Sequence, residues 1–233
     1  MRFNSDQIQK IGKEISSKVD GKTLFDEFSR GRYSTDASVY QIKPLGVVLP
    51  KDTNDVLSLM EYSQKNSVPL LARGGGSSQC GQTVGESVVL DYSKHQNKIL
   101  ELNVEEKYVW VQPGVVLDHL NAYLKPHGLW FPVDVSTSSR ATIGGMSANN
   151  SCGSRSLYYG NMVHNVLAIE AILDDGSIFN FDQINKNYLA TKNNQDRLYK
   201  IIDKFIDVRQ QVGSEIDANW PTTQRRVGGY NID

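Results

Sequence analysis

Pro69-Leu70-Leu71-Ala72-Arg73-Gly74-Gly75-Gly76-Ser77-Ser78-Gln79-Cys80-Gly81-Gln82 is the stretch around which the chain is organised. An apolar run ends in an arginine, three glycines and two serines, and a second apolar run, Val88-Val89-Leu90, follows. Consecutive glycines let the backbone take positive φ and turn successive N–H groups toward one point. Such a concave array binds anions, phosphate above all. Arg73 adds a fixed charge with several donors, and Ser77 and Ser78 add hydroxyls. The spacing predicts a loop between two buried strands that holds a phosphate or pyrophosphate. Three glycines alone would read as a surface turn; the strand–loop–strand setting with polar donors favours the anion loop. Two better-known phosphate loops do not match. Gly76 is followed by Ser77-Ser78 where the P-loop needs Lys-Ser/Thr, and Gln79 stands where the dinucleotide fingerprint needs its last glycine.

Composition narrows the class. The 233 residues exceed the usual single-domain size, so one large domain or two tightly joined lobes is expected. Hydrophobic content of 39% is compatible with a folded core. Net charge is −1 with both signs mixed, and no basic stripe suggests nucleic acid. No apolar run approaches the ~20 residues of a membrane span. The opening Met1-Arg2-Phe3-Asn4-Ser5-Asp6 is too polar for a signal peptide. Cys80 and Cys152 are too few for a disulfide framework or a thiolate-bound cluster, so reduced thiols in a cytoplasm are expected. His95, His119, His127 and His164 show no metal-ligand spacing, and none is chosen as a catalytic base.

Around the glycine loop, periodicity predicts the elements. Ser5 to Val19 reads as a helix with Ile8, Ile11, Ile15 and Val19 on one face, and Leu24 to Phe28 as a weaker helical stretch. Tyr33 to Ser38 is a polar loop. Val47-Val48-Leu49 is a short strand stopped by Pro50. A helix capped by Thr53 runs to Gln64 and buries Val56, Leu57 and Met60. With the strand Leu70-Leu71-Ala72 these make a right-handed βαβ unit whose C-terminal edge carries the glycine loop, where open α/β sheets place ligands. Ile99 to Leu102 and Tyr108 to Val111 read as neighbouring strands, and Val115 to Leu124 as a helix with His119 at its surface. Leu167 to Leu173, Asp174-Asp175-Gly176 and Ile178-Phe179 form a hairpin signal. Leu198, Ile201, Ile202, Phe205 and Ile206 form a helical stripe, read as core.

A second glycine-bearing segment runs from Phe131 to Arg155 without periodicity, and such a length inside a compact domain points to function. The motifs then occur in order: Arg73-Gly74-Gly75-Gly76-Ser77-Ser78, Gln112-Pro113-Gly114, Pro132-x-Asp134-x-Ser136, Thr142-Ile143-Gly144-Gly145 with Ala148, Asn150 and Gly153, Tyr159-Gly160, and Asp174-Asp175-Gly176. From about Tyr33 to Phe179 this series resembles the FAD-binding (PCMH-type) domain of the vanillyl-alcohol oxidase/p-cresol methylhydroxylase family. It is most similar to the FAD-linked D-2-hydroxy-acid dehydrogenase branch, which includes D-lactate dehydrogenase, the glycolate oxidase flavin subunit and D-2-hydroxyglutarate dehydrogenase.

The resemblance implies an α+β, two-lobed FAD-binding domain: a small βαβ lobe, then a larger lobe with an antiparallel sheet and flanking helices, C-terminally incomplete. Residues 1–40 would be a helical extension, 41–91 the small lobe and 92–233 the larger lobe, with the substrate domain absent. Arg73, Gly74, Gly75, Gly76, Ser77 and Ser78 would wrap the FAD pyrophosphate, with Gln82 close by. Pro132, Ser136, Thr142, Gly144, Gly145, Asn150 and Gly153 would line the ribityl chain and flavin edge; Tyr159 and Gly160 would close the wall, and Val166 would meet the adenine end. Ser77 stands where some members carry a flavin-linking histidine and Arg140 where others carry a cysteine, so FAD is expected to be non-covalent. Cys152 reads as a small buried filler.

The implied reaction moves a hydride from the Cα of a D-2-hydroxy acid to FAD while a base takes the hydroxyl proton. The base, any metal and any iron–sulfur cluster belong to the absent part, so no catalytic residue is named; the electron acceptor is open. The full-length protein would be cytoplasmic or peripheral on the inner membrane face. Rival readings are a flavin subunit of another reductase or hydroxylase, a non-catalytic flavin- or nucleotide-binding subunit, and an α/β domain with glycine-rich turns and no cofactor.

Overall fold

The structure, a computed structural model, describes residues 3–182 and 197–223. It opens on helix α1 (Ser5–Ser16), started by a capping box in which Asn4 and Gln7 satisfy each other's backbone N–H groups. Ile8, Ile11 and Ile15 are buried, as their spacing predicts, but the helix ends three residues before Val19. The stretch read as weakly helical divides. Lys22–Leu24 is strand β1, and the Asp26 carboxylate accepts from the Ser29 N–H to start α2 (Glu27–Arg32). The Gly21-Lys22-Thr23 tripeptide on β1 is not a phosphate loop: Ser16 stands where the P-loop's first glycine would be.

Strand β2 (Gly46–Leu49) is buried throughout and leads past Pro50 into α3 (Thr53–Asn66). The cap is Asp52, not Thr53; its carboxylate accepts from Asn54 and Asp55 N–H at 2.9 and 3.3 Å. Strand β3 (Leu70–Arg73) and strand β4 (Val88–Asp91) flank the glycine loop. The sheet order is β1-β2-β4-β3, with β2 and β3 both parallel to β4 and β1 antiparallel to β2. The predicted βαβ pair is therefore opened by one strand. Val88-Val89-Leu90-Asp91 is buried at every position, which suits the central place.

Alternation along β2 and β4 divides the core. Val48, Val88 and Leu90 pack with Ile8, Ile11, Ile15, Val56 and Leu59, whereas Val47, Leu49 and Val89 pack with Leu24, Tyr33 and Leu71 on the opposite face. The residues predicted as an N-terminal extension thus share the core of the first sheet.

The larger lobe begins with the antiparallel pair β5 (Ile99–Asn103) and β6 (Tyr108–Val111), covered by α4 (Leu117–Leu124). His119 is exposed on α4, as its position predicts. Three short helices follow: α5 (Ile143–Ala148), α6 (Ser156–Tyr159) and α7 (Met162–Asn165). They lie in and after the segment that reads as irregular. The predicted hairpin is present as β7 (Ile169–Ile172) and β8 (Ile178–Phe181), with Gly176 at φ 82° in the turn. The last described element is α8 (Arg197–Asn219), which buries Leu198, Ile202 and Ile216 but leaves Ile201 and Phe205 exposed, against the expectation of an all-core stripe.

A buried carboxylate ties the first sheet to α3. Asp55 accepts N–H bonds from Asp20, Gly21 and Lys51 at 2.8, 2.9 and 2.7 Å and is 4% exposed. Asp55→Ala leaves three donors without a partner, so urea denaturation is expected to show a stability loss of about 3 kcal/mol.

Candidate functional site

The glycine loop and the second glycine segment meet across a cavity of about 230 Å³. Of the residues singled out in the sequence, Gly74, Gly75, Gly76, Ser77, Ser78, Gln82, Thr142 and Gly145 line it. Gln79, Cys80, Thr83, Val135, Thr137, Ala141, Met146, Asn149 and Ser151 line it as well and were not foreseen. Asn149 and Ser151 had a signal: they alternate with Asn150 in a polar run, and only the chain's path decides which face the cavity.

Positive φ, expected of consecutive glycines, is needed at one position of the three. Only Gly76 in the triplet has positive φ, at 63°. Gly74 and Gly75 are instead points of close approach: a Cβ on Gly74 would lie 2.1 Å from the Thr142 hydroxyl oxygen, and one on Gly75 2.1 Å from the Arg140 carbonyl oxygen. The first lobe thus meets the second through bare backbone, against a side chain at Gly74 and a carbonyl at Gly75. A side-chain bridge from Gln82 Nε2 to Asn149 Oδ1 (3.3 Å) adds to the contact, and Gln82 Oε1 also pairs with the Ser78 hydroxyl.

The glycine loop is the wall with an unbroken run of acceptor-free backbone donors. Among the described residues, the backbone N–H groups of Gly74 through Gln79 donate to no protein acceptor, and the next, that of Cys80, is taken by the Ser78 hydroxyl at 3.1 Å. The N-terminus of α5 offers no such array. Ile143 N–H donates to the Val115 carbonyl and Gly144 N–H to the Pro113 carbonyl, at 2.8 and 2.9 Å, and Thr142 caps Gly145. Gly144 itself packs on Pro113, where a Cβ would come within 2.5 Å of a ring carbon, rather than facing the cavity.

Arg73 does not line the cavity either. Its guanidinium donates to the carbonyls of Thr35 and Thr83 at 2.9 and 3.2 Å and lies over the Tyr33 ring at 5.2 Å. Tyr33 in turn donates its hydroxyl to the buried Asp91 carboxylate at 2.6 Å; burial, then that bond, pushes the phenol well above its ordinary range.

A second cavity, about 420 Å³, lies on the far side of α5 and takes Asn150 and Val166 from the predicted set, with Ser147, Val163, Leu167, Ile169 and Phe181 among its walls. Asn150, at φ 44°, accepts from the Val163 N–H at 2.9 Å and so holds α7 beside α5. Pro132, Ser136, Gly153, Tyr159 and Gly160 line neither cavity. Gly153 packs on Asp134, where a Cβ would lie 2.2 Å from the carbonyl oxygen. Gly160, at φ 78°, ends α6 against His164, and Tyr159 stacks edge-on with Trp130 at 5.1 Å. Cys80 is exposed and Cys152 half-buried, so the latter is not the buried filler expected.

A model of the FAD binding domain matches residues 44–182. The chain belongs to this FAD-binding domain family. A D-2-hydroxyglutarate dehydrogenase of Haemophilus influenzae is 42% identical over 209 residues, covering 85% of this chain and 20% of that protein. The Escherichia coli protein of the same name is 36% identical over 219 residues, 91% of this chain and 21% of that protein. The glycolate oxidase subunit GlcD of Bacillus subtilis is 37% identical over 176 residues, 73% of this chain and 37% of that protein. The chain thus spans about a fifth of the length of the D-2-hydroxyglutarate dehydrogenases it matches. Among solved structures, an alkyldihydroxyacetonephosphate synthase superposes with a TM-score of 0.67 at 21% identity, over 76% of this chain and 35% of that one. p-Cresol methylhydroxylase superposes at 0.60 with 18% identity, over 76% and 36%. These likenesses establish the two-lobed α+β fold of the FAD-binding domain.

The cavity fits the group the family binds. A run of six N–H groups with no protein acceptor is what a diphosphate accepts from, and Val135, Ala141 and Met146 give an apolar floor beside it. No helix among the described residues is long and apolar enough to cross a membrane, and no three His, Cys, Asp or Glu residues there are grouped to hold a metal.

Two tests follow from the geometry. Gly74→Ala and Gly75→Ala each drive a methyl into the opposite lobe, so both are expected to lower stability by about 1–3 kcal/mol in denaturant titrations. Gly85→Ala, whose Cβ would meet nothing nearer than 3.5 Å, should be close to neutral. The second concerns Asp134. Burial alone would raise its carboxyl, but bonds from the Ser154 hydroxyl and the Arg155 N–H, with the Arg155 charge, hold it below the usual 3.8. A lowered folded pKa gives stability that is present above the unfolded value and lost as pH falls through the folded one. Arg155 lies over Trp130 at 5.1 Å, so Trp130 fluorescence, read with Trp110 and Trp220 replaced by Phe, should change below about pH 4. Asp134→Asn should remove that acid transition.

Proposed function

We propose that this chain is the N-terminal FAD-binding portion of a flavin-dependent oxidoreductase that oxidises a D-2-hydroxy acid. The carrying observation is the cavity between the lobes, walled on one side by the acceptor-free N–H groups of Gly74 to Gln79. The names borne by the relatives, D-2-hydroxyglutarate dehydrogenase and glycolate oxidase subunit, support the substrate class. When bound, FAD supplies the acceptor for the hydride released from the substrate carbon.

Within this reading, the sheet β1-β2-β4-β3 with α1 and α3 packed on it is the small FAD lobe, and the larger lobe begins at β5. Gly74 to Ser78 bind the diphosphate through backbone dipoles. Thr142 and Gly145 form the facing wall and exclude water there. Asn150 and Val166 line the second cavity, and the backbone bordering Val166 would hold the adenine end. FAD binds without a covalent bond, since Ser77 offers no histidine nitrogen for one. No residue of the chain is assigned as the base. The full-length protein works in the cytoplasm or at the inner membrane face, passing electrons to an acceptor of unstated identity.

The test has two arms. The chain is titrated with FAD and flavin fluorescence is followed, with acid precipitation afterwards to release the flavin. Saturable binding with full release is expected; a spectrum identical to free FAD in both the chain and the full-length protein would reject the reading. The full-length protein is then offered D-2-hydroxyglutarate, D-lactate and glycolate with an artificial dye acceptor. Bound FAD that none of them reduces would move the assignment to a non-catalytic subunit or another reductase.

A further inference from the structure

Arg73 stands next to the glycine triplet, where a cation is expected to meet the phosphates, yet its guanidinium is committed to main-chain carbonyls. It reaches Thr83 at the far end of the loop (3.2 Å) and Thr35 in the segment after α2 (2.9 Å), with Tyr33 stacked beneath. Gly76 lies directly on it: a Cβ there would fall 2.5 Å from Nη2, and the loop crosses the guanidinium at φ 63°, a conformation that favours glycine. A second tie runs parallel, from the Thr83 hydroxyl to Asp36 Oδ2 at 3.0 Å, with Asp36 Oδ1 also accepting the Ser38 N–H at 2.8 Å. Both ties close the same loop, 73–83, onto the same segment. A loop closed in this way before its ligand arrives saves the ordering cost at binding.

We propose that Arg73 is a positioning residue for the diphosphate: it closes the glycine loop through the carbonyls of Thr35 and Thr83, and neutral N–H dipoles, not the guanidinium, hold the anion. The identity of the anion rests on the FAD reading above; the closure does not. Lysine keeps the charge but not the planar fork that spans separate acceptors, so charge alone does not rescue the function.

Hydrogen exchange of the FAD-free chain decides the matter, with FAD affinity as the second readout. Arg73→Lys and Arg73→Ala should both speed amide exchange in residues 33–38 and 74–83 while leaving α3 and β4 unchanged. Both should weaken FAD binding about tenfold, with the same dependence on salt as the parent. Asp36→Ala, which lies off the cavity, should loosen the same two segments, and its effect should be less than multiplicative with Arg73→Lys. Parent-like affinity in Arg73→Lys, a loss confined to Arg73→Ala, and unaltered exchange in both would overturn the proposal in favour of direct charge pairing. If Arg73→Ala does not fold, Arg73→Lys and Asp36→Ala carry the same decision. Faster exchange in the variants of a parent chain that itself takes up no FAD leaves the closure standing and removes only the flavin reading.

Discussion

The structure depends on an approach that no side chain permits. At Gly74 and Gly75 the first lobe lies against Thr142 and the Arg140 carbonyl of the second, with distances of 2.1 Å to any Cβ that might be added. Two layers, each with its own apolar cluster, are joined there at the bare backbone of two glycines. Past Gly75 the contact gives way to the cavity: Gly76 turns the chain at positive φ, and the residues that follow it to Gln79 line the gap with N–H groups that no protein acceptor takes.

The strand order prepares this contact. Inserting β4 between β2 and β3 makes β3 an edge strand, so the loop that leaves Arg73 must travel over the end of the sheet to return to its centre. The buried run Val88 to Asp91 anchors that return, and Asp91 holds Tyr33 beneath Arg73. Sheet topology, the Tyr33–Asp91 pair and the Arg73 carbonyl bonds therefore form one continuous support under the glycine loop. On the opposite side, Thr142 caps α5 while its hydroxyl touches Gly74, so one side chain serves local and interlobe roles together.

Periodic elements were legible. Ile8, Ile11 and Ile15 at helical spacing marked α1, and Asp-Gly between apolar runs marked the β7–β8 hairpin. Elements shorter than two turns were not: α5, α6 and α7 hold six, four and four residues, too few for a repeat to show. The strand Lys22–Leu24 was hidden for the same reason. Local capping chemistry was misread by one residue at Asp52, because both Asp and Thr suit a cap and the choice rests on backbone geometry.

Sequence alone determined that two glycine-bearing segments in this order belong to an FAD-binding domain, since spacing and residue type carry that pattern without coordinates. Tertiary structure decided what each of those residues does. It set the Arg73 guanidinium on the carbonyls of Thr35 and Thr83, packed Gly144 and Gly153 against Pro113 and Asp134, and brought Asn149, Ser151 and Met146 to the cavity. The reason is physical: a residue's neighbours in the chain set its conformation, but its partners across a lobe boundary are fixed only when both lobes are folded.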